Sequence, residues 1–231
     1  MRDARKVRSM FARIAGRYDL LNRFLSVGID RRWRRRLIDR VGDLKGVRAV
    51  DACCGTGDLT LALEKRGARV VGVDFTPEML AQARFKGARS RGGQLFVHGD
   101  ALALPLRDGQ ADISTVAFGI RNVADRALGF AELARVVRPG GRVFVLEFSM
   151  PHGRILGTLY RFYFTRILPR IGGWISGSPE AYRYLPDTVL EWPTPAELAL
   201  EMEAAGLERC GYQLLTGGIA CISFGRVPEP S

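Results

Sequence analysis

Asp51 stands four residues ahead of Gly55-Thr56-Gly57, and an apolar helical stretch, Leu59 to Leu63, follows at once. A short apolar lead-in, Ala49-Val50, precedes the acid. A strand that ends in a glycine turn and opens a helix is the first βα unit of a nucleotide-binding sheet. Glycine lets the backbone pass close beneath a ligand, because no Cβ occupies the space. The helix start then offers unpaired N–H groups to whatever is bound. Gly-x-Gly alone is a weak signal, and Asp51 sharpens it.

A dinucleotide site wants a third glycine, and Thr60 holds that position here. Asp51 and Asp58 also bracket the loop with negative charge, which opposes a pyrophosphate. The same charge suits a ligand carrying an ammonium and a sulfonium, namely S-adenosylmethionine (SAM). Asp74 ends the next apolar run, 17 residues beyond Gly57, where an acid reaches a ribose from the second strand tip. Gly99-Asp100-Ala101 closes a third strand, and an acid there points into the same crevice, towards an adenine amino group. The candidates for cofactor binding that the residues themselves give are therefore Asp51, the Gly55-Thr56-Gly57 turn, Asp74 and Asp100. Arg121 and Asn122 follow the fourth strand, on the side where a methyl acceptor would lie. They either take part in the chemistry or fix the loop by hydrogen bonds.

The order of elements follows from period and punctuation. Strands are predicted near 49–52, 70–73 and 94–98, with helices over 59–66 and 77–88 between them. Thr76-Pro77-Glu78 starts the second helix with a cap and a proline in its first turn. A fourth strand spans 112–118, and a helix over 126–137 stops at Arg138-Pro139-Gly140-Gly141. A fifth strand covers 142–147, and a helix over 195–205 leads to two strands, 208–215 and 219–226, joined at Thr216-Gly217-Gly218. The expected fold class is α/β, a Rossmann-like seven-stranded sheet with its last strand antiparallel. N-terminal helices and a helical insertion are added to it. One methyltransferase domain is expected over 1–231: a basic helical segment (1–45), the SAM-binding core (46–149), an insertion (150–190) and a C-terminal helix with a strand pair (191–231).

Two segments carry more grease or charge than the sheet needs. Met10, Phe11, Ile14, Tyr18, Leu21 and Leu25 recur at helical spacing and should dock on the domain. In the insertion, Leu156, Tyr160, Tyr163, Phe164, Ile167 and Ile171 make an apolar stripe interleaved with Arg154, Arg161, Arg166 and Arg170. Such a segment either lids an apolar pocket, lies on a membrane, or packs as an ordinary extra helix. The net charge of +11 is uneven: residues 1–40 hold 13 Lys/Arg against 4 Asp, or +9. The run Arg31-Arg32-Trp33-Arg34-Arg35-Arg36 follows Asp30, read as an N-cap. It is either a solvated helix face or an electrostatic foot on anionic lipid. RNA is less favoured, since no nucleic-acid motif accompanies the charge. No secretory pattern or transmembrane run is visible, and Cys53, Cys54, Cys210 and Cys221 give no zinc framework. A reducing, cytoplasmic setting at the inner face of a membrane is expected, with a homodimer left open and no metal.

Several stretches together resemble one family almost end to end. FARIAGRYDLLNRFLSVGIDRRWR (11–34), DACCGTGD (51–58), GDALALP (99–105) and AFGIRNVAD (117–125) are similar to the UbiE/MenG (Coq5-like) C-methyltransferases of menaquinone and ubiquinone synthesis. So are RVVRPGGRVFVLEFSMP (135–151), EAYRYLPDTV (180–189) and GYQLLTGGIACISFGR (211–226). FGIRNV and LEFS with the C-terminal GGI are the selective parts. The resemblance implies methyl transfer from SAM to a ring carbon of a lipophilic polyprenyl naphthoquinol or benzoquinol. It implies SAM contacts at Thr56, Asp74, Asp100 and Ala101. Ala117 stands where relatives often carry serine, so a contact there is made by backbone. Arg121 and Asn122 match a pair proposed to hold a water for deprotonating the acceptor. Tyr18, Tyr182 and Tyr184 are candidates for acceptor binding, and Cys53-Cys54 leans towards the menaquinone branch. Arg121 itself cannot be the base, because a guanidinium keeps its proton. Its expected part is to stabilise the developing phenolate while a water held by Asn122 relays the proton. A SAM-dependent enzyme with another acceptor, such as a different small aromatic or RNA, is the alternative.

Overall fold

Short apolar runs alternating with helices wind this chain into a seven-stranded sheet in the order β3-β2-β1-β4-β5-β7-β6. The structure is a computed structural model, and it describes residues 4–19, 28–90, 93–151, 153–167 and 188–230. The strands are β1 (Arg48–Ala52), β2 (Arg69–Asp74), β3 (Leu95–His98), β4 (Ala111–Ala117), β5 (Val137–Phe148), β6 (Glu208–Leu215) and β7 (Ala220–Arg226). The pairs from β3 through to β5 are parallel, and β7 runs antiparallel to both β5 and β6. The strand order reverses between β1 and β4, which opens a crevice beyond their C-terminal ends.

Both faces of the sheet are covered, so its strands read as nearly continuous apolar runs. On one face Ala49, Val70, Ile113, Phe144 and Ile222 meet α2 (Ile29–Val41) and α3 (Asp58–Glu64). On the other, Val50, Val73, Val116 and Val145 meet α5 (Arg126–Arg135) and α7 (Pro195–Ala204). Between them in sequence are α4 (Pro77–Gly87) and α6 (Arg154–Phe162). In α2, Trp33, Leu37, Ile38 and Val41 are buried, while Arg31, Arg32, Arg35 and Arg36 form an exposed face. Trp33 packs against Phe118 and Phe148 and donates its indole N–H to Thr216 Oγ1 at 2.8 Å. Arg40 of the same helix stacks 3.8 Å from the Phe224 ring centre.

The N-terminal stripe docks as expected. Within α1 (Ala4–Ile14), Met10 and Ile14 are buried against Val189, with Phe11, Tyr18, Phe148, Tyr160 and Tyr163 packed around them. Leu21 and Leu25 lie outside the described residues. The insertion departs from a single regular helix: α6 is followed by a π-helical turn, Tyr163–Ile167. The wider turn carries Tyr163 into the same cluster as Tyr160, while Phe162 faces solvent.

Three local expectations are corrected. Gly28, in a left-handed conformation, precedes α2, so Asp30 is not its cap; it sits buried in the first turn, bonded to Arg34. Thr76 occupies the cap position of α4, but its side chain caps nothing; the Asp74 carboxylate takes the Thr76 N–H instead. Arg138-Pro139-Gly140-Gly141 does not end a helix. α5 ends at Arg135, and the four residues bulge out of β5 opposite Asp112, between the Ala111–Val137 and Ile113–Arg142 pairs. Gly140 supplies the positive φ of that bulge, and the 140–141 backbone bonds to Val227. The last hairpin turns over Thr216–Gly218 as expected, with all three residues at positive φ, and β7 starts at Ala220.

Candidate active site

A cavity opens where the tips of β1, β2, β3 and β4 converge. Its lining carries Asp51, Asp58, Asp74 and Asp100 together with apolar Phe75, Met79, Ala101 and Leu102. Phe11 and Tyr18 reach it from the N-terminal segment, Arg34 from α2, and Ala117, Phe118, Gly119 and Asn122 from the end of β4.

Each acid is held differently. Asp51 is fully enclosed, and each of its oxygens accepts a hydroxyl: Thr60 at 2.6 Å and Thr115 at 3.0 Å. Burial pushes its pKa up to about 6, against the pull of those two bonds and of Arg34. Asp74 accepts the N–H of Gly55 and of Thr76, both at 2.8 Å, so it fixes the glycine loop while lining the cavity. Its pKa too is raised by burial. Asp100 is exposed and accepts the Leu102 N–H at 2.9 Å. Burial and the neighbouring carboxylates hold the thiols of Cys53 and Cys54 well above their ordinary range, so neither competes as an anion.

The loop geometry explains the small residues. Gly55 lines the cavity with a positive φ, and Cys53 adopts one as well. Gly57 does not line it: a Cβ there would meet the Phe96 ring at 3.0 Å, so this glycine serves packing beneath the wall. A Cβ on Gly119, just beyond β4, would lie 2.3 Å from that of Cys53, so the two loops approach as closely as glycine allows. Thr56 lines the cavity, but its hydroxyl donates to Asp19 at 2.6 Å and accepts from Lys86 at 3.0 Å.

Arg121 and Asn122 share a 3-10 turn, Ile120–Asn122, yet part company. Asn122 lines the cavity. Arg121 turns inward and is 6% exposed, with Nη1 2.7 Å from Glu147 and 2.7 Å from the carbonyl of Phe118. Its Nε is buried and has no hydrogen-bond partner among the described residues. The guanidinium lies 5.3 Å from the Phe148 ring centre and lowers the Tyr160 hydroxyl against the upward push of burial. It therefore faces the aromatic cluster between β5, α1 and α6. Glu147, near the end of β5, is the functional candidate that sequence reading missed. Its oxygens also accept the backbone N–H of Arg121 and of Phe148, both at 3.3 Å. The signal was a carboxylate inside an apolar strand, VFVLEF, which a buried cation must answer. Tyr18 is at the cavity; Tyr182 and Tyr184 lie outside the described residues.

The donor set fits SAM. Four carboxylates suit a ligand with two positive centres and two ribose hydroxyls, and the apolar slot between Phe75, Met79 and Leu102 suits an adenine face. The fold is that of solved SAM-dependent methyltransferases. One from Aquifex aeolicus superposes with a TM-score of 0.62 at 18% identity, over 84% of this chain and 89% of that one. The phosphoethanolamine N-methyltransferase 2 of Haemonchus contortus, in complex with SAM, gives 0.63 at 15%, over 85% and 52%. Within that class, residues 1–226 match the model of the ubiE/COQ5 methyltransferase family, and this chain belongs to it. A demethylmenaquinone methyltransferase of Thermus thermophilus is 52% identical over 222 residues, covering 95% of this chain and all of the relative. A ubiquinone/menaquinone biosynthesis C-methyltransferase UbiE of Geobacter sp. is 43% identical over 225 residues, 95% of each.

Proposed function

We propose that this chain methylates a ring carbon of a polyprenyl quinol with SAM, and that demethylmenaquinol is the preferred acceptor. Membership of a quinone-ring methyltransferase family carries the reading, and a cavity lined by four acids together with Phe11, Tyr18, Phe75 and Phe118 supports it. The 52% relative named for demethylmenaquinone favours the naphthoquinol over the benzoquinol.

SAM supplies an electrophilic methyl group; the protein must orient the ring carbon and raise its nucleophilicity. Ionising a ring hydroxyl does the second. Arg121 carries a buried N–H without a partner, and a buried donor left in that state is costly. Arg121 is not among the cavity-lining residues and lies against the Phe148 and Tyr160 side; an acceptor oxygen admitted there would satisfy Nε and stabilise the phenolate as it forms. Asn122, at the cavity wall, holds the water that takes the hydroxyl proton outward. Asp51 and Asp58 face the methionine end of SAM, Asp74 the ribose, and Asp100 with Ala101 the adenine. Tyr18 closes the acceptor side.

The test is methyl transfer from labelled SAM to 2-polyprenyl-1,4-naphthoquinol and to the corresponding benzoquinol precursor, side by side in detergent. Product from the naphthoquinol at a higher kcat/KM is expected. Product from neither, with SAM bound, would end the quinol reading.

The substrate's tail places it in a bilayer, and no described helix is long and apolar enough to cross one. We read the exposed arginines of α2 as the foot that meets anionic lipid, about 1 kcal/mol for each residue near the surface. Flotation with vesicles containing anionic lipid should be lost in high salt and in a variant with Arg31, Arg32, Arg35 and Arg36 replaced by Gln. Binding indifferent to both changes would remove the idea.

A further inference from the structure

One side chain outside the cavity lining gathers three elements. Lys86, near the end of α4, places Nζ 2.7 Å from Asp19 Oδ2, 2.6 Å from Asp58 Oδ1 and 3.0 Å from Thr56 Oγ1. The Thr56 hydroxyl closes the ring by donating to Asp19 Oδ1. Asp58 begins α3 and is approached at 3.9 Å by Arg34, which is itself bonded to Asp30. Charges thus alternate from α2 through the glycine loop and α4 to the N-terminal segment. That segment places Phe11 and Tyr18 on the cavity, and α4 places Met79 there.

We propose that Lys86 is a positioning residue that pins the N-terminal segment over the cavity through Asp19, and so sets how long SAM stays bound. The proposal rests on the reading of the cavity as a SAM site. Isolated exposed pairs contribute little, but Lys86 and Asp19 are three-quarters and two-thirds buried and share their bonds with a fully buried hydroxyl. A sequence reader assigns Thr56 to the cofactor; here its hydroxyl already has a donor and an acceptor in the cluster, which leaves its backbone for the ligand. The only segment that Asp19 can restrain through this cluster is its own, since Thr56, Asp58 and Lys86 belong to the core.

The experiment uses the full chain with Lys86→Met, Lys86→Arg, Asp19→Asn and the Met/Asn double variant. Circular dichroism and the melting temperature check that each is folded. Dissociation of S-adenosylhomocysteine is followed by stopped flow, and amide exchange of residues 4–19 is followed in the ligand-free protein. We expect dissociation about tenfold faster in Lys86→Met and in Asp19→Asn, with the double variant no faster than either. Lys86→Arg should stay within threefold of the parent. Dissociation from the parent should quicken with salt, and from Lys86→Met it should not. Exchange over 4–19 should accelerate in both single variants. Unchanged exchange there overturns the pinning. Faster dissociation with additive effects also overturns it, because Lys86 would then act on the glycine loop without Asp19. The exchange readout needs no ligand, so it decides the pinning even if the cavity proves to bind something other than SAM.

Discussion

Glu147→Ala should destabilise the protein by about 3–5 kcal/mol, because it leaves the Arg121 guanidinium buried without its counter-ion. Both side chains are buried in the ligand-free protein, so little water reaches them to compensate. The same carboxylate also accepts two backbone N–H groups, and those would be orphaned together. A fall in the urea midpoint at constant slope is the measurement. A second variant separates stability from chemistry. Arg121→Met with Glu147→Leu replaces the pair by apolar groups of similar size, which is often neutral or better. It should recover most of the stability and still lose about 10²-fold or more in kcat, because the developing phenolate has lost its donor. Affinity for SAM should hold, since Asp51 and Asp74 bond to neither residue. Turnover near the parent rate in the double variant would refute the part assigned to Arg121.

Acid should weaken SAM binding in a narrow window. Asp51 has a pKa of about 6 in the ligand-free protein, and a cation beside it favours the carboxylate. Binding therefore releases a proton, and the dissociation constant should be flat above about pH 6.5 and rise by up to about tenfold per unit below 6. Asp51→Asn should bind weakly at every pH between 5 and 8. Calorimetry in buffers of different ionisation enthalpy reads the proton directly. Stability of the free protein should run the other way. A carboxylate with a raised folded pKa stabilises fully below its unfolded value and loses that contribution as pH rises through the folded one. Asp51, Asp74 and Glu147 are all shifted upward, so the free protein should gain stability as pH falls from 7 towards 5. Asp112 and Glu132, held low by arginines, oppose this only at more acid pH. An affinity for SAM that is unchanged at pH 5 would mean that Asp51 does not face a cation.

The parts of the site that follow one another in sequence were legible. Asp51, Gly55, Asp74 and Asp100 each sit at the end of an apolar run, and a parallel sheet delivers all such ends to one edge. The seven strands were legible for the same reason. What escaped depends on partners far apart in the chain. Glu147 lies 26 residues from Arg121, and only the β4–β5 pairing brings them together. Lys86 reads as one more cation near a helix end until Asp19 and Asp58 arrive from elsewhere. Arg138-Pro139-Gly140-Gly141 carries three helix-stopping residues, yet a parallel strand can absorb it as a bulge, and local composition does not distinguish a helix stop from a bulge. Gly57 belonged to the motif by spacing but answers to Phe96, a residue of β3.

The Trp33–Thr216 bond has a consequence for the order in which the chain is made. α2 leaves a ribosome well before β6 and β7, and the partners of its apolar face include Leu215, Ala220 and Ile222 of that later hairpin. Until β6 and β7 emerge, Trp33, Leu37 and Ile38 have only part of the surface that buries them. α2 and the β6–β7 hairpin therefore complete one face of the sheet together. A nascent chain that already holds the whole glycine loop still lacks the support for Trp33, and with it for Phe118 and Phe148. The apolar face of α2 is thus completed only once β6 and β7 have been made.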